Sequence, residues 1–112
     1  MSGRAPAGPL ERGFSRHRLP TVADYFDQWL HHSKGRVRAK THDGYRGLIR
    51  LYAAPGIGAI YLADLRPLDL QGLYSDCLDR GLSGGTVLNL HLVLTQALGQ
   101  AVRWGLIGVN PA

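Results

Sequence analysis

The chain holds a single cysteine, no long apolar run and only eight acidic residues in 112, and each shortage removes a class of function. With Cys77 alone, an internal disulfide is excluded, as is a zinc site built from cysteine pairs. No apolar run approaches the roughly 20 residues of a membrane-spanning helix, and the N-terminus lacks the apolar core of a secretory signal, so a cytoplasmic location is expected. No histidine, carboxylate and nucleophile fall at a spacing that supports catalysis, and neither a cofactor nor a metal is expected. A chain of this length forms one domain with a buried core and leaves little room for an elaborate active site.

Where acids are scarcest, bases cluster. Residues 34–50 carry six Lys/Arg against Asp43 alone, whereas residues 51–112 balance three Arg with four Asp. Residues 1–20 add four Arg against Glu11. A net charge of +5 is therefore concentrated locally, and a local basic stripe points to a polyanion, nucleic acid first.

Taken in order, residues 1–20 contain Pro6, Pro9 and Pro20 without apolar periodicity, which predicts a disordered basic arm. Thr21 is the expected N-cap of a first helix, with Asp24 three residues on. Val22, Tyr25, Phe26, Trp29 and Leu30 form its apolar face. The adjacent His31 and His32 point about 100° apart and lack further ligands, so they do not make a metal site.

The basic stretch then leads into a second helix, for which Thr41 is the expected N-cap and Tyr45, Leu48, Ile49, Tyr52 and Ala53 the apolar stripe. His42, Arg46 and Arg50 fall at i, i+4 and i+8, in one row on another face. The near absence of acids there favours a binding face over a merely solvated one. Gly44 and Gly47 inside this helix each cost about 1 kcal/mol relative to Ala, so either packing alone holds the helix or another backbone approaches closely.

A break is expected across residues 54–58, followed by an extended apolar connector over 59–65. Arg66-Pro67 starts a third helix with Leu70, Leu73, Tyr74, Cys77 and Leu78 on its buried face, ended by Gly81. Cys77 reads as a small core residue. Ser83 caps a fourth helix running to about Trp104, apolar on so many sides, Leu88 and Leu92 included, that it should be central. His91 reads as a half-buried structural histidine, and Asn89, Gln96, Gln100 and Arg103 form the remaining polar strip. Residues 21–107 are thus the folded domain, and 108–112 the start of an interdomain linker.

Four ordered signatures resemble the core-binding, SAM-like N-terminal domain of phage-integrase-type tyrosine recombinases. They are the Val22-to-Trp29 helix with Tyr25-Phe26, and the basic loop leading to Thr41-His42-Asp43-Gly44-Tyr45. The third is Pro55-Gly56-Ile57-Gly58 followed by Leu62-Ala63-Asp64-Leu65-Arg66-Pro67. The last is Gly81-Leu82-Ser83 with the ending Trp104-Gly105-Leu106-Ile107 and Asn110-Pro111-Ala112. The resemblance implies an all-α, orthogonal four-helix bundle that clamps duplex DNA at recombination core sites, its second and fourth helices at the major groove. Carried over by position, the DNA-facing residues are Arg36, Arg38, Lys40, Thr41, His42, Tyr45 and Arg46, with Ser83, Thr86, Asn89 and Arg103 on the fourth helix; the basic row adds Arg50.

The family's catalytic arginines, lysine, histidine and nucleophilic tyrosine belong to a C-terminal domain, and the chain stops at Ala112 before it. The expectation is a DNA-binding module of a truncated recombinase, catalytically inactive by itself, whose second partner is a recombinase catalytic domain or a full-length integrase. Gly84 and Gly85 depart from the better helix formers usual in the family. The rival reading is a helical protein–protein interaction module with a basic surface, which an exposed Trp104-Leu106-Ile107 end would favour.

Overall fold

The computed structural model describes residues 20–112. The disordered arm expected over residues 1–20 therefore lies, apart from Pro20, outside the described residues. Four helices make up the fold, joined by short connections and without a sheet among the described residues.

Helix α1 spans Val22–Ser33. Its first turn is fully satisfied: Val22 N–H donates to the Ile60 carbonyl at 2.8 Å and Ala23 N–H to that of Gly58 at 3.0 Å, while Thr21 Oγ1 accepts from Asp24 N–H at 3.2 Å. These donors would otherwise be orphaned at a helix start. Val22, Tyr25, Phe26, Trp29 and Leu30 are all buried, as their spacing requires.

Helix α2 begins as Ala39–Leu48, widens into the π-helical segment Ile49–Ala53 and ends as Ala54–Ile57. This corrects two expectations. Thr41 does not cap the helix; Arg38 occupies that position with extended backbone and no side-chain cap, because Ala39 and Lys40 are strong helix formers that add a turn upstream. Nor does Pro55 break the chain. A proline ring crowds the carbonyl four residues back, here Leu51, and cannot donate to it; Leu51 lies within the π segment, whose wider turn takes up the clash. The same widening offsets the drift of about 40° between α-helical positions four apart, so Ile49, Ala53 and Ile57 all stay buried. After Ile57 the chain docks on α1 through Gly58, where a Cβ would meet the Ala54 carbonyl oxygen and approach the Ala23 methyl to 3.0 Å. The 59–65 connector includes a short 3-10 turn, Leu62–Asp64, and one isolated bridge between Tyr61 and Thr21.

Helix α3 spans Pro67–Asp79, its start fixed by Arg66 N–H donating to Asp69 Oδ2 at 2.9 Å. Leu70, Leu73 and Cys77 are buried, but Leu78 is half exposed, because it stands about 80° round the helix from Leu70, beyond the reach of the bundle. Helix α4, Gly84–Arg103, is capped by Ser83 Oγ accepting from Thr86 N–H at 3.1 Å. The sequence predicts a central helix, but Leu90, Leu94, Ala97, Leu98 and Ala101, all wholly buried, lie along one face. The expected apolar width is too generous: Leu88 and Leu92 are 55% and 53% exposed, since no other helix covers that flank. The α1–α4 contact is sealed by Tyr25, whose hydroxyl donates to the Ala97 carbonyl. Past α4 the chain turns back, and Asn110 Nδ2 donates to the Thr95 carbonyl at 3.1 Å.

Candidate nucleic-acid interface

The basic stretch is presented by a tight turn between α1 and α2. Ser33 is buried, Arg36 N–H closes onto the Ser33 carbonyl at 3.0 Å, and Gly35 takes φ +84°, a conformation that favours glycine. Lys34, Arg36 and Arg38 are left exposed on the turn. Arg36 is oriented by its Nε–H donating to the His32 carbonyl at 3.1 Å.

Two contacts hold the start of α2 against α1. Tyr45 stacks on Trp29 with ring centroids 5.5 Å apart, and His42 Nε2 lies 2.7 Å from the Leu30 carbonyl oxygen. A carbonyl can only accept, so this nitrogen carries the hydrogen. His42 is thus turned toward α1 and half-buried rather than standing free in a row with Arg46 and Arg50. Arg46 is exposed but bonded to Asp43 Oδ1 at 2.7 Å, so the acid within this stretch neutralises part of the row. Arg50 projects from the π segment. By contrast Arg38 and Lys40, at the uncapped start of α2, have side chains with no partner among the described residues.

Between α2 and α4 runs a cleft. Its first part, about 350 Å³, is lined by Thr41, Gly44, Tyr45, Asn89, Leu92 and Gln96 among others. A second part of about 280 Å³ shares Tyr45 and Gln96 and continues past Trp29 and Gln100 to Arg36 and Arg103. The fold thereby gathers five of the residues anticipated from sequence, Arg36, Thr41, Tyr45, Asn89 and Arg103, around one depression. Ser83 and Thr86 do not line it; their hydroxyls face each other at 3.0 Å in the α4 cap. Arg103 is steadied by donating to Gln100 Oε1 at 2.9 Å. Gln96 and Gln100 are readable from sequence as part of the polar strip of α4, but only the tertiary packing shows that this strip faces α2.

Behind the cleft, Tyr25 is wholly buried and its phenol is pushed up to about 12, chiefly by desolvation and against a smaller opposing effect of Arg103. Trp104 packs edge-on against Tyr25 at 6.1 Å and against His32 at 4.9 Å, and Leu106 and Ile107 pack against the core. Trp104 itself stays 41% exposed and Val109 78%, so part of the end on which the protein-interaction reading rests is open and part is packed away. On the far side His91 Nδ1 meets the Tyr74 hydroxyl at 3.1 Å, a structural histidine as expected. No helix among the described residues is long and apolar enough to cross a membrane.

Comparison with known proteins places this geometry. The pattern of the phage integrase N-terminal SAM-like domain matches residues 21–78. The solution structure of a phage integrase SAM-like domain from Moorella thermoacetica is 38% identical, with a TM-score of 0.73 over 82% of this chain and 80% of that one. The integrase-like domain from Bacillus cereus is 27% identical, with a TM-score of 0.76 over 80% of this chain and 76% of that one. The Tn1549 transposon integrase, solved in complex with a circular intermediate DNA, shares the fold at 24% identity and a TM-score of 0.73, over 82% of this chain and 29% of that one. No curated protein matches.

Proposed function

Since the chain belongs to the family of phage integrase N-terminal SAM-like domains, we propose that it is a core-binding domain that grips duplex DNA at recombination core sites through the α1–α2 turn, the start of α2 and the open face of α4. The observation that carries this reading is the convergence of Arg36 and Arg103 with Thr41, Tyr45 and Asn89 around one cleft, beside Arg38 and Lys40, which have no partner among the described residues. The domain in the Tn1549 integrase complex, which has the same fold, belongs to a protein solved on DNA. Backbone N–H groups at the uncapped start of α2 add partial positive charge where a phosphate would sit.

In this reading Arg36, Arg38, Lys40, Arg50 and Arg103 contact phosphates, Arg46 contributes less because Asp43 holds it, and His42 acts mainly by fixing α2 on α1. Ser83 and Thr86 add hydroxyls at the α4 start. The domain binds and does not cut; a recombinase catalytic domain is the second partner the reading implies.

Salt dependence of binding to a short duplex is the test. About five phosphate contacts give a slope of log K against log salt near −4 to −5. A slope near zero sinks the proposal. Arg38→Ala should flatten the slope by about one unit, and more than Arg46→Ala. Nicking of supercoiled DNA by the purified domain with a divalent metal would overturn the non-catalytic part.

A further inference from the structure

The open face of α4 is not cationic, and that is what makes it informative. Asn89, Leu92 and Gln96 stand at i, i+3 and i+7, within about 60° of arc, and all three line the cleft toward α2. Both amides are exposed and neither has a side-chain partner among the described residues, unlike Gln100, which holds Arg103, and Asn110, which ties down the C-terminal segment. Leu92 is 53% exposed, and Leu88 one turn earlier 55%. Two amides without an intrachain partner among the described residues thus flank a solvent-facing leucine, with Arg36 and Arg103 at the margin of the same cleft.

We propose that Asn89, Leu92 and Gln96 form a reading strip for A·T base pairs in the major groove. This rests on the DNA-binding function proposed above and gives it a base preference. The chemistry of the strip selects the base. A carboxamide donates to adenine N7 while accepting from the adenine N6 amino group, and an apolar side chain contacts the thymine methyl. Reading guanine calls for Arg or Lys on O6 and N7, and reading cytosine for a carboxylate on N4. Helix α4 carries no Lys, Arg, Asp or Glu before Arg103, which Gln100 holds at the margin, so the strip itself has neither tool for G·C. The span matches the groove, since seven residues of helix rise about 10.5 Å, close to three base-pair steps at about 3.4 Å each. The cations of the α1–α2 turn fix position on the backbone, and the neutral strip supplies the sequence information.

Duplexes differing only in a central block of four base pairs, A·T or G·C, are titrated with the 112-residue chain by fluorescence anisotropy, compared at equal salt and over a series of salt concentrations. The A·T duplex should bind about a hundredfold more tightly, from two base contacts of about tenfold each. Asn89→Ala and Gln96→Ala should each reduce that preference by about tenfold, within the range for a bidentate base contact, while the salt slope and circular dichroism stay unchanged. Replacing thymine by uracil removes the methyl alone; it should weaken the wild-type chain severalfold and leave Leu92→Ala indifferent. Replacing adenine by 7-deazaadenine removes N7 and should reduce the preference about tenfold or more, since each amide loses one of its two bonds. Equal affinity for both blocks, or a preference that survives the two amide variants, overturns the inference and leaves the DNA-binding reading standing. A preference undiminished by both uracil and 7-deazaadenine also overturns it, since minor-groove shape would then be what is read. No binding to either duplex removes the proposed function and this inference together.

Discussion

Helix α1 and the first ten residues of α2 are neighbours of similar length and opposite use. In α1 the first turn is closed by Thr21 and by two carbonyls of the connector, and six of twelve residues are buried. The first ten residues of α2 have no side-chain cap and none is buried. Two glycines sit there facing open space, and two cations without a partner among the described residues stand at the start. Apolar periodicity is present in both, so pattern alone does not separate them. The difference is what each gives up: α1 commits its surface to the core, whereas α2 keeps donors, charges and space for something outside the chain and relies on the Trp29–Tyr45 stack and the His42–Leu30 contact to stay in place.

The contrast can be broken most strongly at its rigid end. Phe26→Ala removes a wholly buried ring and should lower unfolding free energy by about 3–5 kcal/mol, read by urea denaturation. Arg38→Ala should leave the same curve within about 0.5 kcal/mol while weakening DNA binding. If both variants lost stability alike, the division of labour between the helices would be wrong. Gly58→Ala comes next. Its Cβ would strike the Ala54 carbonyl, forcing the end of α2 off α1 and costing about 1–3 kcal/mol; a neutral result would mean that this junction is loose.

What is legible in the sequence divides along the same line. Thr21, Pro67 and Ser83 announce helix starts because a cap acts within a few residues, and α1, α3 and α4 begin where these signals put them. The α2 start is not legible in this way, because Thr41, a good cap, competes with Ala39 and Lys40, which are good helix formers; no local rule ranks the two. Pro55 misleads for a related reason, since its cost depends on whether the preceding turn can widen. Exposure of Leu78, Leu88 and Leu92 depends on how much of each helix its neighbours cover, which periodicity does not contain. At the candidate site the cationic loop is visible at once as charge. That Asn89 and Arg103 share a cleft with Thr41 and Tyr45 requires the tertiary fold, although the Arg46–Asp43 pair at i, i+3 is within reach of sequence alone.

Alkaline titration sharpens the contrast from the buried side. The Tyr25 and Tyr74 phenols are both pushed up to about 12, mainly by desolvation, so the folded state holds them neutral beyond the point where the unfolded chain ionises near 10. The stability they contribute is therefore whole below about pH 10 and lost as pH rises through about 12. Tyr25→Phe should cost about 1 kcal/mol at neutral pH for the lost bond to Ala97 and should shallow the decline above pH 10. An unaltered decline in that variant would show that Tyr25 is not buried against α4 as described.

The smallest effect tests the open end. A methyl added at Gly44 or at Gly47 meets nothing within 4 Å, so no backbone among the described residues explains either glycine, and each substitution to Ala should stabilise the domain by up to about 1 kcal/mol through helix propensity. The two differ in position, because Gly44 lines the cleft opposite Asn89 and Gln96 and Gly47 does not. If DNA approaches α2 there, Gly44→Ala should stabilise the fold yet weaken binding severalfold, while Gly47→Ala stabilises it and leaves binding unchanged. Equal binding by both variants would move the contact surface away from the cleft. Weaker binding by Gly47→Ala alone would put the DNA on the other side of α2, and Arg36 and Arg103 would then lose their assigned role at the phosphates.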